Sequence, residues 1–157
     1  MEMTAAEVKE QAYHAFGDLP RPRHFTNYQH CEECAVHDET LRSHDPRTIS
    51  YEELGNPGWD PICFALPQAF LYYFPALVRL ALDGRDRESY LDQFLFHVTY
   101  EGEESRFFKH FSREQRQVTL TTLCYIRERM KTEVAECMLG EQLTEAVDLW
   151  EKLVEDP

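Results

Sequence analysis

Apolar residues recur at helical spacing along most of the chain. Val8, Ala12, Ala15 and Phe16 form a stripe behind Thr4, which stands three residues before Glu7 in capping-box spacing, and Gly17 is a stop signal. This predicts a first helix. The stretch Asp18-Leu-Pro-Arg-Pro-Arg23 ends it, because each proline removes a donor and restricts the residue before it. A helical pattern resumes from about Asn27 to Ser43. Ser50-Tyr-Glu-Glu53 repeats the capping-box spacing with Gly55 close behind, which predicts one short turn, and Asn56 to Pro61 reads as a loop.

The segment from Pro67 is apolar nearly all round and so belongs in the core. Pro67 suits a first helical turn, Phe70, Phe74, Leu77 and Ala81 lie along one side, Tyr73, Val78 and Leu80 widen it, and Gly84 ends it. Pro75 inside this pattern predicts a kink or a split at Tyr73 or Phe74, with Tyr72, Tyr73 and Pro75 as candidate lining of a pocket there. From Glu88 to Val98, Tyr90, Leu91, Phe94, Leu95 and Val98 fit a helix, although FLFHVTY alone would also suit a strand. Ser112 to Gln115 opens the longest pattern, carried by Val118, Leu123, Ile126, Met130 and Cys137 with Gly140 as its stop. Val147, Trp150 and Val154 mark a last helix from Thr144. The expected fold is mainly α: a single domain over residues 1–157, a bundle of about six helices with one core helix kinked at Pro75, and room for a minor short strand pair near Ile62 to Ala65.

Composition agrees with one self-sufficient core. The chain has 157 residues, 43% of them apolar and 13% aromatic, far from the aromatic-poor make-up of disordered segments. The longest apolar run, Ile62 to Leu82, is broken by Pro67, Gln68, Pro75 and Arg79 and is a poor bilayer span. The N-terminus carries glutamates where a secretion signal needs basic residues, so a cytoplasmic location is expected. Five scattered cysteines, at 31, 34, 63, 124 and 137, fit reduced thiols better than a disulfide framework. A net charge of −13 opposes direct binding to nucleic acid or anionic lipid and would attract a basic protein surface.

One short stretch looks like chemistry. HCEECAVH, residues 30 to 37, holds His30, Cys31, Cys34 and His37 within two helical turns, and on a continuous helix His30, Cys34 and His37 share a face with Cys31 to one side. These are zinc-ligand types, but a structural zinc site normally draws two separated pairs, and a second pair is missing unless His24, Cys63 or a carboxylate completes the set. A redox role is the weaker reading, since Glu32 and Glu33 between the thiols oppose thiolate formation. The bland alternative is two small apolar residues packing a helix. No phosphate loop, G-x-S-x-G, H-E-x-x-H or paired-carboxylate motif is present, and His97 and His110 sit among phenylalanines as packing histidines, which points away from an enzyme.

Several blocks carry a resemblance: Ala15-Phe16 followed by Pro20, the H-C-x-E-C of residues 30 to 34, FALPQAFLYYFPAL at 64 to 77, F-F-x-x-F-S-x-E-Q at 107 to 115, and Ala146 to Trp150. Together they cover nearly the whole chain, which resembles a bacterial family of small, mostly helical proteins of unknown function. The specific part is P-x-A-F-x-Y-Y-x-P-A. A departure follows the cysteine segment, where Ser43-His-Asp-Pro46 replaces the family's Gly-Arg-x-Trp and Trp59 comes later. The resemblance implies bacterial origin and a shared fold, and supplies no activity.

Two function classes follow. The first is a non-enzymatic acidic binding module, of the kind that caps a basic partner as immunity proteins and antitoxins do, using Glu101, Glu103 and Glu104 together with Glu141, Glu145, Asp148, Glu151 and Glu155. The second is a zinc-binding helical domain, structural or hydrolytic, built on His30, Cys31, Cys34 and His37.

Overall fold

The protein is described by a computed structural model over residues 2–84 and 88–156, and it is mainly α-helical. Helix α1, Ala5–Phe16, begins where expected: the Thr4 hydroxyl accepts from the Glu7 N–H at 3.2 Å. Helix α2 spans Glu32–Arg42 and α3 is the short Tyr51–Leu54 turn, whose capping box pairs Ser50 with Glu53. The 3-10 turn Pro57–Trp59 occupies the predicted loop, and a second, Pro61–Phe64, takes up most of the stretch considered for a strand and leads into α4, Pro67–Asp83. Then come α5, Leu91–Thr99, and the 3-10 turns Gly102–Glu104 and Phe108–His110. Helices α6, Arg113–Arg129, α7, Lys131–Glu136, and α8, Gly140–Glu155, close the fold.

Helix α4 is the spine, as its apolar circumference requires. It packs on α1 and α5, while α6 lies on α1 and α8, and α8 reaches back to α5. Phe16, Phe74 and Phe111 meet at ring centroid distances of 5.0 to 5.4 Å, and Phe111 also meets Trp150 at 5.4 Å. The fully buried Trp150 donates its indole N–H to the Val98 carbonyl at 2.7 Å, tying α8 to the end of α5. The Gln115 side chain completes the α6 capping box and also donates to the Ala15 carbonyl at 3.0 Å, so one residue ends α1 and starts α6.

Three expectations change, and the choice at Pro75 narrows. Helix α4 runs without a split through the buried Pro75, which brings no N–H to the Leu71 carbonyl yet is carried by core packing on both sides. The minor strand pair reduces to a single antiparallel bridge between Thr26 and Ala65. The long pattern after Ser112 breaks at Met130. Gly140 opens α8 instead of closing the helix before it: Met138 adopts a left-handed φ of 56°, and the Leu139 N–H returns to the Val134 carbonyl at 2.9 Å, a Schellman-type close made without glycine. Finally, α2 starts at Glu32 and not near Asn27, which changes the geometry of the cysteine segment. No helix among the described residues is long and apolar enough to cross a membrane.

Candidate thiol and metal centre

The segment before α2 is pinned to it by one buried carboxylate. Asp38 accepts the Phe25 N–H at 2.6 Å and the Thr26 N–H at 3.2 Å on one oxygen and bonds His24 Nδ1 at 2.7 Å on the other. Burial alone would raise the Asp38 pKa, but the His24 bond and the two backbone N–H groups outweigh it and hold the carboxyl below its ordinary value. Thr26 Oγ1 adds a bond to the Cys34 carbonyl at 2.7 Å. The chain then turns through Asn27 to His30, whose N–H donates to the Asn27 carbonyl at 2.9 Å, and delivers His30 and Cys31 to the helix start.

Cys31 is the N-cap of α2. Its backbone is extended, φ −164° and ψ 170°, and its sulfur accepts the Cys34 N–H at 3.3 Å, in the position a serine or aspartate oxygen usually holds. The two sulfurs stand 3.2 Å apart, and Cys34 Sγ is 3.8 Å from His30 Nδ1. His30, Cys31 and Cys34 therefore offer three ligand atoms within 4.8 Å of one another. The two thiols differ sharply in setting: Cys31 is exposed, whereas Cys34 is 7% exposed. The Cys34 N–H above all, then His30 and the Cys34 thiol, lower the Cys31 pKa to about 7. Cys34 is shifted upward, first by its contact with Cys31 and then by burial.

The expected opposition of Glu32 and Glu33 to thiolate formation holds for Cys34, through the Glu33 carboxylate, and not for Cys31. At an N-terminal cap the Glu33 backbone N–H favours the Cys31 thiolate, and the Glu33 carboxylate acts on Cys34 instead. The glutamates themselves sit in the first turn of α2, where the helix dipole stabilises negative charge.

His37 stands apart from this trio. It is fully buried between Trp59 and Phe64, with ring centroids at 4.5 and 4.6 Å, and neither ring nitrogen has a hydrogen-bond partner. Glu33 Oε1 lies 3.6 Å from Nε2, too long for a hydrogen bond. Burial lowers the His37 pKa against the pull of Glu33 and Asp60, which favours the neutral ring. The residues considered for completing a zinc set are committed elsewhere: His24 to Asp38, and Cys63 to a second group with Asp60 and His97.

That second group went unnoticed in the sequence. Asp60 caps the Pro61–Phe64 turn through the Ile62 N–H at 2.9 Å, and its other oxygen takes Tyr90 Oη at 2.7 Å, Gln93 Nε2 at 2.9 Å and His97 Nε2 at 2.8 Å. Burial would raise its pKa, but the bonds from His97, Tyr90 and Ile62 hold it below the ordinary value. Cys63 beside it is pushed up to about 11, by desolvation and then by the Asp60 charge. This carboxylate fastens the turn to α5.

The other candidate residues also have definite places. Tyr73 is fully buried and donates to the Leu41 and His44 carbonyls at 2.5 and 2.8 Å, satisfying the end of α2, while Tyr72 receives a bond from Arg21 at 3.1 Å. Tyr73 and Pro75 are thus packing groups. Of the acidic set, Glu103, Glu141, Glu145 and Asp148 line one shallow groove of roughly 820 Å³ between the Gly102–Glu104 turn and α8. Glu101 instead faces Arg106 at 3.8 Å, and Glu104, Glu151 and Glu155 are exposed outside the groove lining. Comparison with protein-family models, curated proteins and solved structures finds no match to this chain.

Proposed function

We propose that the protein is a zinc-binding helical domain in which His30, Cys31 and Cys34 hold the ion. The observation that carries this reading is the convergence of one imidazole and two sulfurs within 4.8 Å at the start of α2. Tetrahedral zinc places its sulfurs about 3.8 Å apart at Zn–S distances near 2.3 Å. The pair at 3.2 Å needs to open by a little over half an ångström, which Cys31 can supply from its extended position outside the helix. No fourth His, Cys, Asp or Glu among the described residues joins the group, so one coordination position is left to water or to an incoming ligand. That is the arrangement of reactive and exchanging zinc sites, not of closed structural ones. Titration of the reduced chain with zinc against a chromophoric chelator should give one equivalent, lost in Cys31→Ser and Cys34→Ser and kept in Cys63→Ser. Binding that ignores the first two substitutions would overturn the reading.

A second reading is supported by the acidic groove, where carboxylates from two segments distant in sequence meet on one face. It makes the protein a docking module for a basic partner. A lysine-rich peptide should bind at low salt and lose affinity both in high salt and on combined Glu141→Gln, Glu145→Gln and Asp148→Asn substitution. Binding insensitive to both would remove this reading.

A further inference from the structure

We propose that Cys31 and Cys34 form a redox-active dithiol that exchanges with disulfides, with Cys31 as the attacking sulfur and Cys34 as the resolving one. The inference shares its two sulfurs with the zinc reading and stands without the ion, since metal and disulfide are alternative states of the same pair.

Five features of the geometry assign the roles. The sulfurs are 3.2 Å apart, and a disulfide bond of about 2.05 Å requires them to close by little more than an ångström. Cys31 lies outside the helix in extended backbone, so its side chain can make that movement without unwinding α2. Access is one-sided: Cys31 is exposed to an incoming disulfide, whereas Cys34 is 7% exposed and faces Cys31. The Cys34 N–H aimed at Cys31 Sγ, at the positive end of the α2 dipole, stabilises negative charge on that sulfur both when it attacks and when it leaves. His30 Nδ1, 3.8 Å from Cys34 Sγ, is placed to take the Cys34 proton as that sulfur attacks.

The exchange balances with a small-molecule disulfide such as glutathione disulfide. The Cys31 thiolate attacks one sulfur of the oxidant, a Cys31 mixed disulfide forms, and the first glutathione leaves as its thiolate. Cys34 then attacks Cys31 Sγ, the mixed disulfide breaks, and the second glutathione leaves. The two thiol protons of the protein end on the two glutathione thiols, and the protein dithiol has lost two electrons to the oxidant.

The test uses the reduced full-length chain with a chelator present, equilibrated in glutathione and glutathione disulfide mixtures, quenched by alkylation and mapped by peptide mass. Cys31 and Cys34 are expected to lose alkylation together in a peptide two hydrogens lighter, and to regain it in excess glutathione. In Cys34→Ser the reaction should stop at a glutathione adduct on Cys31. In Cys31→Ser the adduct on Cys34 should form at least about tenfold more slowly. The proposal is overturned if the pair stays fully alkylatable in mixtures that already modify the exposed Cys137, or if the two variants form adducts equally fast. Zinc titration of the same reduced protein separates the two readings: zinc without exchange defeats only this one, and exchange without zinc defeats only the other.

Discussion

The chain holds two groups of histidine, cysteine and carboxylate chemistry, and they are built in opposite ways. His30, Cys31 and Cys34 meet at the surface, where the helix N-terminal N–H of Cys34 leads the groups that lower the Cys31 thiol to about 7. Asp60 and His97 meet in the interior with the exposed Cys63 at their edge; Tyr90, Gln93, His97 and the Ile62 N–H already occupy the carboxylate, and desolvation and the Asp60 charge raise the Cys63 thiol to about 11. The same residue types therefore leave an exposed thiol with a lowered pKa in one place and a fully engaged carboxylate in the other. Hydrogen-bond saturation and burial decide which.

The strongest way to break this contrast is to disturb the fastening. Asp60→Asn removes the charge that Tyr90, Gln93 and His97 surround, and it should cost about 3 kcal/mol of stability, a fall in Tm on the order of 10 °C for a domain this size. The folded pKa of Asp60 lies below its unfolded value, so its contribution is full above the ordinary carboxylate pKa and is lost as the pH falls through the folded one. Thermal melts of the two proteins should differ most near neutral pH and approach each other below about pH 4. A variant as stable as the parent at pH 7 would mean that the network is not holding α5 to the Pro61–Phe64 turn.

Next in size is the difference between the thiols. At pH 7 a thiol lowered to about 7 is half ionised, whereas one raised to about 11 is ionised in roughly one molecule in ten thousand. The weaker intrinsic nucleophilicity of the lower-pKa thiolate takes back part of this, leaving iodoacetamide modification of Cys31 about 100-fold faster than that of Cys63 in the metal-free chain. At pH 9 the gap should narrow to a few-fold. Equal rates at pH 7 would erase the distinction.

The smallest effect sharpens the boundary of the surface site. His37→Phe replaces a buried imidazole with two unpartnered nitrogens by a ring that suits its neighbours Trp59 and Phe64, so stability should hold or rise by about 1 kcal/mol. Zinc affinity should not change, because His37 lies outside the converging trio. A melt lowered by several degrees would mean that the imidazole has a partner to lose.

What could be read from the sequence was local. Thr4, Ser50 and Ser112 announce their helices because each cap acts within three residues, and the all-round apolar run after Pro67 could only be a core helix. Two misplaced boundaries share a cause: the residue making them is not the type that usually does so. Cysteine is not a common N-cap, so nothing marked Cys31 as the place where α2 begins, and an exposed methionine in a left-handed turn closes α7 two residues before the glycine expected to do it. The Asp60 network was invisible for another reason, since its partners Tyr90, Gln93 and His97 lie 30 to 37 residues away and only the folded chain brings them together.

The most direct measurement is zinc K-edge absorption on the reduced chain loaded with one equivalent of zinc. The account predicts a first shell with two sulfurs near 2.3 Å and lighter atoms near 2.0 Å, one of them an imidazole nitrogen, with the sulfur shell lost in Cys31→Ser/Cys34→Ser. A shell of oxygen and nitrogen alone, or a sulfur shell that survives the double substitution, would contradict it.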